Sequence, residues 1–478
     1  MTVPFSPRRL GALGLGLFLA GCAAGPDFVR PPLPDVAQYD AGPAPAQVSE
    51  AVDLNADWWT QFHSDKLDQL VTAALADNPG LAGAEAALRA SEADRRAGAG
   101  IFYPSVALGY SAQRERSTPA RLGAGGVGSV FNVYTLGATI AYSVDLFGAN
   151  RRLVEGLSAQ VDEARYQRDA ARLALAGNVV NAAIAYAAYR EQANAAQRIV
   201  DAEREQLALI DANFRAGISP ESALLAVNMQ LQGSIANLAP IQARADASRH
   251  LLASLLGKAP SGSSLPLPEW GELQQPGTLP LTLPSTLVRQ RPDILITEAR
   301  LHAATAALGV ATADLYPSLT LDASGGWASN RAHDLGKEPG KNWLIGPSLT
   351  YPLFTGGALT AHRDSTRATV DAAYADYRQS VLKAFDEVAD VLSNVEHDGA
   401  LRDARTAASA AAVRTVALAE ATRQTGVIAE ADYLTLVIQR EAARMNAIDA
   451  DALQLQNAVA LYVALGGGLR PASQEPRP

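Results

Sequence analysis

The sequence predicts a mainly α protein with membrane β: two internal repeats whose strands form a β-barrel shared between chains, continued by a barrel of long α-helices. Three observations predict it. One plan recurs after about two hundred residues, each copy holds a proline-free run longer than any globular core needs, and each holds two alternating segments.

The repeat is read from paired landmarks. Asn78-Pro79 leads to Phe102-Tyr103-Pro104-Ser105-Val106, and 213 positions later Arg291-Pro292 leads to Leu315-Tyr316-Pro317-Ser318-Leu319. Gly217-Ile218 with Glu221 and Leu224 is echoed at an offset of 209 by Gly426-Val427 with Glu430 and Tyr433, and the same offset relates Leu256-Gly257 to Leu465-Gly466. These landmarks divide the chain into a leader (1–21), an N-terminal extended segment (22–63), a first repeat (64–257), a Pro, Ser and Gly-rich linker (258–284), a second repeat (285–466) and a tail (467–478).

Within the first repeat we expect a helix from Ser64 to Gly98, a hairpin over 101–145, a long helix over 149–215 and a helix over 219–256. The second repeats the order, with a helix, a hairpin over 317–355, a long helix over 357–425 and a helix over 430–465. A helix over 149–215 is on the order of 100 Å long. In the second copy Val370, Tyr374, Tyr377, Val381, Ala384, Val388, Val391 and Val395 are spaced alternately by four and three, the pattern of a coiled-coil seam. A solvated structural rod has the same pattern.

Only 19% of the chain is charged and 6% aromatic, which suits closely packed long helices better than several compact cores. The formal charge of −9 becomes −11 once a leader carrying Arg8 and Arg9 is removed. So acidic a chain lacks the basic patches that replace phosphate counterions, and no nucleic-acid partner is expected. Arg8-Arg9 followed by the apolar stretch from Leu10 to Gly21 has the form of a signal peptide, too short to span a bilayer as a helix. Cys22, the one Cys of the chain, follows directly, so no disulfide forms within a chain. Leu19-Ala20-Gly21-Cys22 resembles a bacterial lipobox, which implies a thioether-linked diacylglycerol and an N-acyl chain on Cys22. An ordinary signal peptide with a chance Cys is the alternative. Ala23 and Ala24, with no Asp, resemble the start of lipoproteins sent to the outer membrane.

Four segments alternate with period two, one face apolar and the other small or polar. Tyr134, Leu136, Ala138, Ile140, Tyr142 and Val144 oppose Thr135, Gly137, Thr139, Ala141 and Ser143. Leu319, Leu321, Ala323 and Trp327 oppose Thr320, Asp322 and Ser324, and Trp343, Ile345, Leu349, Tyr351 and Leu353 oppose Gly346, Ser348 and Thr350. A soluble sandwich alternates likewise. If the sheet lies in lipid it must close, and four strands enclose no usable barrel, so several chains must contribute. Three copies give twelve strands, although geometry alone does not fix the number three.

At this point the chain resembles the outer-membrane factor family, the TolC-like channels, and specifically its lipoprotein branch paired with RND-type drug pumps, the NodT-like outer membrane efflux lipoproteins. Gly25-Pro26-Asp27-Phe28, Arg30-Pro31-Pro32-Leu33-Pro34, and Asp57-Trp58-Trp59 with Phe62, Asp65 and Leu67 carry the likeness. So do Leu283-Pro284-Ser285, Arg289, Arg291-Pro292-Asp293-Ile294, Ala313-Asp314-Leu315-Tyr316-Pro317-Ser318 and the terminal Ala464-Leu465-Gly466-Gly467-Gly468. The resemblance implies a homotrimer with a 12-stranded barrel, four strands per chain, and a periplasmic helical tunnel ringed by an equatorial region that includes the linker. It implies a passive duct that exports drugs or other small toxic compounds, working with a periplasmic adaptor and an inner-membrane RND-type pump.

The resemblance also places a gate at the hairpin tips near Gly217 and Gly426, where glycine reaches φ > 0 without penalty. Asp432 falls where a ring of carboxylates constricts the entrance. Glu430 and its first-copy counterpart Glu221 lie beside the tips, and Arg423 and Arg215 are placed to supply ion pairs that hold the bundle shut. The alternatives are acidic residues favoured at a helix start and ordinary surface salt bridges. Ala429 to Arg440 lacks the Leu-Asp-Ala-Gln-Arg run frequent in that branch.

An enzyme finds little support. Gly123-Ala124-Gly125-Gly126-Val127-Gly128 fits G-x-G-x-x-G but precedes a strand and opens no helix, and there is no G-x-S-x-G, H-E-x-x-H or P-loop. Six scattered His and the Met residues 229 and 445 form no soft-ligand cluster, so no metal site and no cofactor beyond the lipid is expected. Type I protein secretion and a trimeric adhesive or structural surface protein are the competing functions.

Overall fold

A computed structural model describes residues 23–32, 36, 38–39, 48–50, 56–118, 127–261, 264–282 and 284–468. The expected leader, Cys22, Leu33-Pro34, the glycine run Gly123 to Gly126, Leu283 and the tail beyond Gly468 lie outside the described residues. In chain order the elements are β1 (Val48–Glu50), α1 (Asp65–Asp77), α2 (Pro79–Ala99), β2 (Ser105–Ser117), β3 (Ser129–Val144), α3 (Ala149–Arg215) and α4 (Glu221–Leu255). There follow β4 (Leu279–Leu281), α5 (Pro284–Gln290), α6 (Pro292–Ala313), β5 (Ser318–Ser329), β6 (Lys341–Thr350), α7 (Ala358–Gln424) and α8 (Glu430–Ala464). The chain forms two compact units: Met1–Pro31, Leu88–Ala164 and Thr297–Tyr377 make one, and Pro32–Ala87, Arg165–Ile296 and Arg378–Pro478 the other.

The first unit contains an antiparallel sheet of order β2-β3-β5-β6, so the two repeats' hairpins join into one sheet through β3 and β5. Register aligns Val106, Ile140, Ala323 and Ile345 in one row across the apolar face. That face is largely uncovered: Leu108 is 77% exposed, Ile345 74% and Leu349 66%, an apolar surface that water does not support. The opposite face carries the row Gly109, Gly137, Gly326 and Asn342. A Cβ on Gly326 would lie 2.3 Å from the Leu136 carbonyl oxygen, so glycine is what lets β3 and β5 approach there. Tyr351 and Leu353, expected to continue the last strand, lie beyond the end of β6.

The second unit is mostly helical and holds the greater part of α3 and α7, the proline-free runs, each of 67 residues. Along α7 the expected seam is buried at Tyr377, Val381, Ala384, Val388 and Val395, whereas Tyr374 is 43% exposed and Leu392 is buried beside a half-buried Val391. Trp58 stacks on Tyr462 with ring centroids 5.2 Å apart, so the Asp57-Trp58-Trp59 motif forms core packing, with Phe62 wholly buried. β1 pairs in parallel with β4, tying the N-terminal segment to the linker.

The single helix expected from Ser64 to Gly98 is two helices, α1 and α2, broken at Asn78. Asn78 is extended (φ −70°, ψ 121°) because the ring of Pro79 clashes with a helical residue before it. Its side chain then accepts from the Leu81 amide (3.0 Å) and donates to the Leu255 carbonyl (2.8 Å). The second copy breaks in the same way between α5 and α6, and Arg291 donates to the Ala464 carbonyl (2.9 Å). Leu255 and Ala464 are themselves 209 residues apart, so both repeats close at one joint, where the residue before proline binds the last turn of the repeat's final helix. At each joint a glycine reverses the chain: Gly257 (φ +69°) packs on the Asp77 carbonyl and Gly466 (φ +86°) on that of Gln290.

Candidate functional site at the helix tips

Two reversals, from α3 to α4 and from α7 to α8, carry the expected gate residues. Gly217 (φ +72°) and Gly426 (φ +75°) sit where a left-handed residue ends each long helix. Ile218 N–H donates to the Asn213 carbonyl and Gly217 N–H to that of Phe214, each at 2.9 Å. In the second copy Val427 donates to Thr422 (3.1 Å) and Gly426 to Arg423 (3.0 Å). Both are Schellman caps, so the backbone solution is the same in the two copies.

The side chains differ. Arg423 is bidentate to Glu420 (2.8 Å to each oxygen) and reaches across the reversal to Glu430 (2.9 Å), while its guanidinium lies 4.8 Å from the centre of the Tyr433 ring. The Arg423 and Gln424 hydrogen bonds hold the Glu420 carboxyl down at about 2, and the bonds to Glu420 and Glu430 push the Arg423 guanidinium up. Burial and the neighbouring Glu420 charge raise Tyr433. In the first copy Phe214 stands at the position of Arg423, and among the described residues Arg215 pairs only with Asp211, one turn earlier on its own helix (2.6 Å).

The expected residues are therefore partly brought together. Arg423 and Glu430 join, Arg215 remains within α3, and among the described residues neither Glu221 nor Asp432 has an ion pair. Asp432 is exposed in the first turn of α8, where the helix dipole favours a carboxylate. Glu420 and Tyr433 went unassigned from the sequence, although Glu420 lies three residues before Arg423, at pairing distance on a helix.

Further along the bundle, polar groups tie the repeats together. Gln206 on α3 donates to the Ala431 carbonyl (3.1 Å) and to the Thr435 hydroxyl (2.9 Å) at the start of α8. Arg198 reaches Glu441 (2.7 Å), a carboxylate only 2% exposed. Within the first repeat Glu203, equally buried, accepts from Gln230 on α4 (3.0 Å). A buried charge held by such bonds costs more to strand than to keep, so these contacts fix the helices' register.

In the first unit the segment after Cys22 is strapped down by the residues that carried the likeness. Ala24 N–H donates to the Phe147 carbonyl (2.7 Å), and Gly25 (φ +83°) packs against Gly309, where a Cβ would come within 2.7 Å of the Gly309 Cα. Asp27 pairs with Arg152 (2.5 Å), Phe28 stacks on His302 (4.3 Å), and Arg30 pairs with Glu298 (2.7 Å). Glu155 bonds both Arg152 (2.7 Å) and His302 (2.9 Å), which outweighs its burial and lowers its carboxyl below the usual range.

A four-stranded sheet with one bare apolar face, in a chain with two duplicated 67-residue helices, defines an outer-membrane channel that carries a long helical tunnel. The profile described as "Outer membrane efflux protein" matches residues 70–258 and 283–467, and the chain belongs to that family. It is 30% identical over 477 residues to outer membrane protein OprJ of Pseudomonas aeruginosa, across 96% of this chain and 95% of that one. Nodulation protein T of Rhizobium leguminosarum bv. viciae is 29% identical, across 98% and 95%. Among solved structures, the outer-membrane channel OprN superposes with a TM-score of 0.84 at 29% identity, covering 94% of this chain and all but 1% of that one. The open state of the Neisseria gonorrhoeae MtrE channel gives 0.80 at 26%, covering 95% and 100%. The protein is an outer-membrane efflux channel with a TolC-like fold and not an enzyme.

Proposed function

We propose that three copies close a twelve-stranded barrel and a helical tunnel, forming the passive exit duct of a tripartite pump that expels drugs or other small toxic compounds. The observation that carries this reading is the open sheet. Its order ends at β2 and β6, and its apolar face is exposed along those two edge strands and half-exposed across β3 and β5. In lipid such edges must pair with another copy. A periplasmic adaptor and an inner-membrane RND-type pump complete the path, and a diacylglycerol and an N-acyl chain on Cys22 anchor the chain. Repeats over 64–257 and 285–466 supply the walls, and the linker 258–284 belongs to the surrounding equatorial region.

Asp432, supplied once per chain, forms the narrow carboxylate ring, with Arg423, Glu430 and Glu420 bracing each tip from behind. Glu221 and Arg215 line the first-copy tips. The curated relatives favour efflux over protein secretion: one is named a probable efflux pump outer membrane protein, TtgC of Pseudomonas putida. Deleting this gene alone should raise susceptibility to dyes, detergents and antibiotics, and the intact gene should restore resistance. Purified chain that stays monomeric in mild detergent would overturn the assembly, and unchanged susceptibility the cargo.

A further inference from the structure

The apolar face of the sheet is not flat. Near the end of β3 it holds an open groove of about 570 Å³ lined by Phe102, Pro104, Ile140, Tyr142, Leu321 and Ile345. Asp322 is the only charged residue on its lining, and its partners in register, Ala141 and Gly346, belong to the opposite face. A mostly apolar groove on a lipid-facing sheet accepts hydrocarbon more readily than headgroups.

The chain supplies hydrocarbon beside it. Ala24 is bonded to Phe147, and a Cβ on Gly148 would lie 2.8 Å from the Ala23 Cα, so the residue following Cys22 is fixed at the turn between β3 and α3. Tyr142, a wall of the groove, is five residues before Phe147. Five residues span at most about 17 Å. An acyl chain crosses half of a hydrocarbon core about 30 Å thick, or about 15 Å, before the length of the glycerol linkage is added. Phe102 and Pro104 come just before Ser105, which pairs with Ala141, so the groove lies toward the rim from which α3 departs, the side where the chain after Cys22 is held.

The geometry points to this groove as the seat of one acyl chain of the lipid carried by Cys22, an intramolecular lipid site that fixes the anchor against its own barrel wall. The inference rests on the lipidation reading above. It makes the strap of Ala24 to Arg30 a positioning device: Gly25, Asp27 and Phe28 hold the anchored end within reach of one site and do not leave it free to range over the bilayer.

The test uses full-length protein in its own membrane with Ile140→p-benzoylphenylalanine, irradiated, purified and digested. We expect the acylated N-terminal peptide joined covalently to the peptide bearing position 140. Adding Ala323→Trp, which fills the groove, should abolish that product, and Ala323→Leu serves if the larger residue prevents insertion. Crosslinks to free phospholipid alone, or a lipopeptide crosslink undiminished by filling the groove, would overturn the site. The mass of the N-terminal peptide reports separately on lipidation: without acyl groups on Cys22 the anchor reading itself fails.

Discussion

Replacing glycine by alanine at two left-handed positions separates backbone strain from packing. Gly217 and Gly257 have nearly the same φ, +72° and +69°, and both end helices in Schellman caps. A non-glycine residue there costs about 1–2 kcal/mol. A Cβ on Gly217 meets nothing within 4 Å, whereas one on Gly257 would lie 2.6 Å from the Asp77 carbonyl oxygen and 3.1 Å from the Pro79 ring. Neither neighbour is a flexible side chain, so the joint must shift, adding about 1–3 kcal/mol as overpacking does. Gly217→Ala should therefore cost about 1–2 kcal/mol by the sum above and Gly257→Ala about 2–5 kcal/mol. The assay is the denaturation midpoint of purified protein at one fixed concentration, compared at equal slope. Equal losses in the two variants would refute the claim that the joint between α1 and α4 is sterically tight.

Three other outcomes follow from the geometry. Asp432→Ala should weaken cation selectivity in planar-bilayer conductance, and unchanged selectivity with unchanged divalent block would remove Asp432 from the gate. Glu420, held at about 2, is depressed in the folded state, so its stabilisation is complete above the ordinary carboxylate range and fades as pH falls toward 2. Hydrogen-exchange protection of the 422–430 reversal should be level from pH 7 to about 5, then decline, and the decline should be absent in Glu420→Gln. Arg291→Met should destabilise by about 1–3 kcal/mol, below the usual cost of stranding a buried partner, because Asp293 and Glu387 keep 46% and 40% exposure and regain water; an unshifted denaturation midpoint counts against it.

Much of the fold was legible because it is periodic. The 149–215 run has no proline to stop it and folds as one helix, and the alternation of Leu136 to Val144 places those side chains on one face of the sheet. The break at Asn78 was not read, since apolar spacing continues across it and only the clash before Pro79 interrupts the helix. Contacts between distant segments leave no local pattern. Arg30 meets Glu298 at a separation of 268 residues, and Gln206 meets Thr435 at 229. At the tips the sequence set Arg215 and Arg423 in the same role without naming their partners, although the position matching Arg423 is Phe214.

That mismatch bears on how a duplicated chain can gate. The joints by which each repeat closes are kept alike, with a pre-proline residue on a helix end and a positive-φ glycine, because every wall segment needs the same reversal. The tips share backbone caps yet have diverged in charge: the reversal from α7 to α8 is braced across the turn by Arg423 and Glu430, that from α3 to α4 only within one helix. Gln206 further ties the start of α8 to α3, so a braced tip cannot move without the wall beside it. In the trimer proposed above, six tips would alternate braced and unbraced across the turn. In the gate proposed above, Asp432 would lie on the braced kind, where the bond from Arg423 to Glu430 holds the reversal that carries it.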